Sequence, residues 1–335
     1  MKLLCIDCEG PVTLNDNAFE ICQHFLPQGG KFFTLISRYD DYLADVIRRE
    51  GYVAGNTLKL IVPFFKAYGL TNKQVEDFCK ESIRFVPNAK NMLRETRLRI
   101  KTFIISTSYT PYIHALCKIT GFPLENTVST FLDLDRYSIS NEEKKKLIKF
   151  YKDIINLSLS PLKERKKDIS PLDKKTLSRL DEIFFTEIPS MQCRYLMDKV
   201  NPIGGEEKTK AVKKVVSQTR CEIKDTMYVG DSITDADALR VVRKNGGVSI
   251  SFNGNIYALK EAEFACISSH AYPILVAVDK FQKEGKLGVE RMAQFLSQES
   301  SYIFAPVTKD NFSYLVEMSE KMRKKVRGEK VGSLG

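Results

Sequence analysis

Met227-Tyr228-Val229-Gly230-Asp231-Ser232-Ile233-Thr234-Asp235-Ala236-Asp237-Ala238-Leu239 is the stretch on which the fold reading turns. A short β-rich apolar run stops at a glycine, and three acids follow within seven residues where a helical pattern begins. An acidic N-cap would account for one of those acids but not for the set. Asp231 and Asp235 offer hard carboxylate oxygens, the donors that Mg²⁺ prefers.

Similar runs recur along the chain at Leu3–Ile6, 102–105, 127–134, 226–229, Val248–Phe252 and Phe264–Ile267. Most are separated by helical patterns, which predicts an α/β fold with a Rossmann-like parallel sheet. In such sheets ligands sit beyond the carboxyl ends of the strands, so the polar residues ending each run are the ones to inspect. Two stretches break the rhythm with mainly helical sequence and are expected to be insertions. The first is 15–89, with Thr71 as a helix cap; the second is 136–200, rich in lysine and broken by Pro161, Pro171 and Pro189. The core is then expected from 1–14, 90–135 and 201–270. Residues 271–335 read as C-terminal helices ending in a disordered basic tail from Arg327.

The first run ends in Asp7-Cys8-Glu9-Gly10. In extended chain, residues i and i+2 point to one side, so both acids can face one bound group. The glycine permits a sharp turn and close approach to an anion. The second run ends in Ser106-Thr107-Ser108, where a hydroxyl can meet a phosphate oxygen beside free N–H groups or simply cap the next helix. Lys208, in Gly204-Gly205-Glu206-Glu207-Lys208-Thr209, opens a helix. It does not form a P-loop, because Glu207 stands where that motif needs glycine. A lysine is disfavoured by the dipole at a helix start, so an anionic partner is expected there.

These four signals, in this order, resemble the haloacid dehalogenase (HAD) superfamily: D-x-D-G, a Ser or Thr ending the second strand, a later Lys, and G-D-S-x-x-D. The resemblance implies a HAD core with helical caps and a Mg²⁺-dependent phosphatase. In it Asp7 is the nucleophile that forms an aspartyl-phosphate, Glu9 the general acid and base, Ser106 an orienting group and Lys208 a charge neutraliser. Asp7, Asp231, Asp235 and the carbonyl of Glu9 would hold the metal. Ser106, Thr107, Lys208 and, from the first cap, Arg38 would contact a small phosphorylated substrate, with Lys31 a further surface candidate. Glu9 departs from the usual second Asp, moving the carboxyl by about 1.5 Å. Within the superfamily the runs Asn15-Asp16-Asn17-Ala18-Phe19-Glu20 and Phe33-Thr34-Leu35-Ile36-Ser37-Arg38-Tyr39-Asp40-Asp41 resemble an archaeal group known in methanogens as energy-converting hydrogenase A subunit R. That match implies association with a membrane hydrogenase complex, either as an enzyme or as an accessory subunit of little activity.

Composition bounds the alternatives. With 43% hydrophobic and 28% charged residues the chain reads as globular. No run approaches the ~20 apolar residues of a membrane span, and Asp7 comes too early for a signal peptide, so a cytoplasmic location is expected. Eight cysteines without paired spacing suit a reducing compartment, and Cys5-x-x-Cys8 lacks a second pair to complete a zinc site. The net charge of +10 includes +6 between Asn141 and Leu180 and +3 between Lys309 and Lys330. Acids are mixed into both runs and no repeated alternation of basic and aromatic residues runs through them, which reads as solvated helix faces rather than a specific nucleic-acid site.

Overall fold

The computed structural model describes residues 1–161, 169–295 and 301–332. Sequence readings that fall on 162–168 of the basic insertion, on 296–300 and on 333–335 lie outside the described residues. In chain order, β1 (Leu3–Ile6) leads to α1 (Asn17–Phe25), α2 (Gly29–Asp41), α3 (Thr57–Ala67), α4 (Asn72–Ser82) and α5 (Ala89–Arg99). Next come β2 (Lys101–Tyr109), α6 (Thr110–Thr120), β3 (Thr127–Thr130), α7 (Asn141–Ile155), α8 (Pro171–Glu182) and α9 (Tyr195–Asp198). The chain then alternates through α10 (Glu206–Thr219), β4 (Thr226–Gly230), α11 (Ala236–Lys244), β5 (Val248–Phe252), α12 (Ile256–Glu261) and β6 (Phe264–Ile267). It closes with α13 (Tyr272–Glu284), α14 (Lys286–Phe295), β7 (Ile303–Pro306) and α15 (Phe312–Gly332).

The strands form one seven-stranded sheet in the order β3-β2-β1-β4-β5-β6-β7. The first six are parallel, as the alternation of runs and helical patterns predicts; β7 pairs antiparallel with β6. Every residue of β1 and β4 is buried, which is why both read as continuous apolar runs: helices cover both faces. Their register, Ile6 opposite Val229, brings the ends of the two strands side by side.

Three boundaries differ from the sequence reading. β2 extends through Ser106, Thr107 and Ser108, with a register shift between Ile105 and Tyr109, so these hydroxyls lie in an irregular strand end rather than beyond it. β3 stops at Thr130 instead of continuing to Leu134. β7 was not expected in 271–335: it is four residues long, ends in Pro306 and sits at the sheet edge, where proline is tolerated.

The helical insertions are not separate bodies. Thr71 does cap α4, in a reciprocal box with Gln74. The rings of Phe32 and Phe64, from the first insertion, pack on Tyr151 from the second at centroid distances of 4.6 and 5.9 Å, and Phe64 also meets Phe184 at 6.1 Å. One aromatic core therefore joins 15–89 to 136–200. The expected disordered tail from Arg327 is also corrected: past a break at Gly328 helical turns run on to Gly332, with Arg327 8% exposed and Val331 6% exposed.

Candidate active site

Asp7 is the first residue beyond β1. Its N–H donates to the carbonyl of Val229 at 2.9 Å, pinning it beside β4, whose own first residue beyond the strand is Asp231. Both side chains are nearly sealed from solvent. Gly10 adopts φ +97°, and a β-carbon there would lie 2.9 Å from Asp231 Cβ and closer still to its carboxylate. Gly230 has the same relation to Asp235, 2.6 Å from its Cβ. The two glycines of the motifs are thus required by the carboxylates that pack on them.

Lys208 stands in the first turn of α10, fully buried. Its Nζ donates to Asp7 Oδ2 and to Asp235 Oδ1, each at 2.6 Å. The anionic partner expected at this helix start is therefore a pair of aspartates from β1 and β4. Asp235 Oδ1 also accepts from the Tyr228 hydroxyl at 2.7 Å, and Oδ2 accepts from the backbone N–H groups of Asp231 and Ser232, both at 3.0 Å, and from Ser232 Oγ at 3.2 Å. Asp237, the third acid of the motif, pairs instead with Arg240 at the surface.

One carboxylate oxygen from each of Asp7, Asp231 and Asp235 lies within 4.8 Å of the others. Hard, buried oxygens in this arrangement suit Mg²⁺. Asp235 accepts five hydrogen bonds, whereas Asp7 accepts one at each oxygen, from the Cys8 N–H at 2.7 Å and from Lys208, so Asp7 and Asp231 are the carboxylates better disposed to hold a cation directly.

The electrostatics follow from burial. Desolvation and the neighbouring Asp235 push the Asp7 carboxyl up to about 8, with Lys208 opposing them. Burial also raises Asp235, but Lys208 and the hydrogen bonds outweigh it and hold that carboxyl below its ordinary value. Burial works against the Lys208 ammonium too, yet Asp235 and Asp7 raise its pKa overall. Glu9 is held well above the usual carboxyl range by burial and by Asp16. One of its oxygens accepts from the N–H of Asn17 at 2.7 Å, so it ties the strand end to the start of α1.

A cavity of about 120 Å³ opens beside this cluster, lined among others by Asp7, Glu9, Ser106, Thr107, Asp41 and Asp231; the fully buried Lys208, expected as a substrate contact, and Asp235 lie behind that lining. Ser106 Oγ donates to Ser108 Oγ at 3.0 Å, and Thr107 Oγ1 donates to the Ile203 carbonyl at 2.9 Å. Arg38, expected as a substrate contact, has another task. It donates to the carbonyl of Leu159 at 2.7 Å, tying the first insertion to the second, and it does not line the cavity. Lys31 is exposed on the surface of α2 and is likewise absent from the lining.

Sequence reasoning missed the two residues that reach Asp231 from the far end of the chain. Arg323 and Arg327 of α15 line the cavity and bond to Asp231 Oδ2, Arg327 at 3.0 Å. Their i, i+4 spacing was the one available signal, hidden in a run that read as a basic tail. Asp16, Asp40 and Asp41 were also unmarked. Asp40 accepts from Tyr52, the Gly55 N–H and Thr57, holding the loop after α2, and all three acids line the cavity.

No family model matches the chain and no curated protein matches it. Among solved structures, gene product AF1437 from Archaeoglobus fulgidus is 31% identical and superposes with a TM-score of 0.88 over 100% of this chain and 99% of that one. A substrate-bound phosphoserine phosphatase and a phospho-aspartyl intermediate analogue of phosphoserine phosphatase each superpose with a TM-score of 0.50 at 15% identity. They cover 82% of this chain and 96% and 97% of their own, a likeness of fold alone. The chain therefore belongs to one family with the Archaeoglobus fulgidus protein, and its fold is the one seen in phosphoserine phosphatase.

Proposed function

We propose that this protein hydrolyses the phosphomonoester of a small metabolite through an aspartyl-phosphate on Asp7. The observation that carries the reading is Lys208 Nζ lying 2.6 Å from both Asp7 and Asp235 in a fully buried cluster at adjacent strand ends. The phosphatases that share the fold supply a precedent for the reaction class and say nothing of this chain's substrate. A cavity of about 120 Å³ suits a small leaving group.

In this proposal an Asp7 oxygen attacks phosphorus and the ester P–O bond breaks. Glu9, kept protonated by its surroundings, gives its proton to the departing oxygen and then takes one from the water that hydrolyses the acyl-phosphate. Ser106 orients the phosphoryl oxygens, with Thr107 beside it. Lys208 offsets the charge that builds on them. Asp235 serves as the positioning residue for Lys208. Asp7 and Asp231, with the Glu9 carbonyl, would hold Mg²⁺. The cation, when bound, would favour the ionised nucleophile and offset its repulsion from the phosphate dianion.

The test is phosphate release from an aryl phosphate and a panel of metabolites with Mg²⁺, comparing the protein with its Asp7→Asn variant. Activity falling by about 1,000-fold or more in the variant supports the proposal. One observation favours a second reading, an accessory or regulatory subunit of a membrane-associated hydrogenase complex: two arginines already neutralise Asp231. Silence of both proteins in the assay, with Mg²⁺ binding verified directly, would favour that role.

A further inference from the structure

The last helix reaches the site along one stripe. Leu315, Ser319, Arg323 and Arg327 recur at four-residue spacing on α15, and all four are buried. Ser319 Oγ donates to the Gly254 carbonyl at 2.7 Å. Arg323 Nη1 donates to the Asp231 carbonyl at 3.1 Å and to Asp231 Oδ2, and Arg327 Nη1 donates to that same oxygen at 3.0 Å. Arg327 further donates through Nε to the Leu14 carbonyl at 3.2 Å and through Nη2 to the Asn15 carbonyl. Directly after Arg327 the helix is broken at Gly328 (φ 79°, ψ 159°), and Val331 beyond the break returns to the core.

Two buried guanidiniums thus converge on a single oxygen of a carboxylate that faces Asp7. Asp7, Asp231 and Asp235 face Lys208, Arg323 and Arg327, while Asp16 lies near both guanidiniums and Glu9 near that of Arg327. A divalent cation bound at Asp231 would compete with the two guanidiniums for the same carboxylate and be repelled by them in a poorly screened interior. Either the guanidiniums withdraw or the cation binds against their repulsion. In both cases docking of this helix and occupancy by a cation oppose each other.

We propose that α15 is a tethered counter-ion for Asp231: Arg323 and Arg327 are positioning residues that set the site's affinity for a divalent cation, and cation binding in turn loosens the helix. The inference rests on the cation reading given under the proposed function. Linkage makes the effect reciprocal, so it can be read from either end.

The experiment uses the full chain and Mn²⁺ as the probe, with free Mn²⁺ followed by electron paramagnetic resonance. Arg323→Gln and Arg327→Gln are each expected to bind Mn²⁺ roughly 10-fold more tightly than the unaltered protein, within the usual range of such couplings. Because Arg327 also holds Leu14 and Asn15, a measurement without substitution accompanies it: hydrogen exchange of the amides of residues 319–327 in the unaltered protein. Saturating Mg²⁺ is expected to speed that exchange. Equal or weaker Mn²⁺ binding by the variants, or exchange that Mg²⁺ leaves unchanged or slows, would overturn the inference while the cation reading stands. No Mn²⁺ bound by any of the three proteins would overturn both.

Discussion

Gly10 and Asp231 occupy the same space up to the volume of one methyl group: a β-carbon on Gly10 would fall 2.9 Å from Asp231 Cβ, and nearer to the carboxylate. The first motif's glycine therefore sets where the fourth motif's acid can stand. Gly10→Ala is expected to cost about 1–3 kcal/mol through overpacking, with added strain from its φ of +97°. It should also displace Asp231. A urea titration measures the first effect, and a phosphatase assay on the refolded variant the second. A variant as stable and active as the parent would mean the carboxylate has another place to go.

Lys208 is buried between two carboxylates, so removing it takes away the cation they share. Lys208→Met is expected to lower stability by about 3–5 kcal/mol, as breaking one side of a buried ion pair does. Adding Asp235→Asn should recover part of that loss, since only Asp7 then lacks its cationic partner. A double-mutant cycle on urea midpoints reads the coupling; strict additivity would show that the 2.6 Å geometry carries no energy.

Arg38 bridges the two insertions instead of lining the cavity. Its guanidinium donates to the Leu159 carbonyl, so Arg38→Ala should leave KM for a true substrate within about twofold. Stability should fall by roughly 1.5–3 kcal/mol, the range for a charged donor's hydrogen bond. Steady-state kinetics alongside thermal unfolding separates the outcomes. A KM raised 10-fold at unchanged stability would return Arg38 to the site.

Asp41 predicts a pH dependence. Burial, with Asp40 and Asp45 nearby, pushes its carboxyl up to about 8, only Arg38 opposing. A folded-state pKa above the unfolded value means that the folded protein holds a proton the unfolded chain has lost. Stability from this group is therefore full below pH ~4 and declines as pH rises toward 8. Asp41→Asn should flatten that decline, gaining on the order of 2 kcal/mol over the parent at pH 8 relative to pH 4, the full linkage being reduced because the carboxyl is partly solvated. Urea midpoints measured from pH 4 to 9 test it; parallel profiles for the two proteins would refute it.

What the sequence determined by itself is what local chemistry determines. Apolar runs ending in Asp7 and in Gly230-Asp231 announce parallel strands with acids at their carboxyl ends, because a strand covered on both faces has nothing polar until it ends. The Thr71 cap is legible for the same reason, since the cap and the Gln74 that answers it are three residues apart. The tertiary structure alone decided everything that rests on distant pairs. It merged the two insertions around Phe32, Phe64 and Tyr151, turned Arg38 toward Leu159, and placed β7 against β6. It also carried Arg323 and Arg327 across more than ninety residues of chain to Asp231. Side-chain direction in a helix depends on what the helix packs against, and a basic stretch has the same local pattern whether water or a buried carboxylate lies opposite it.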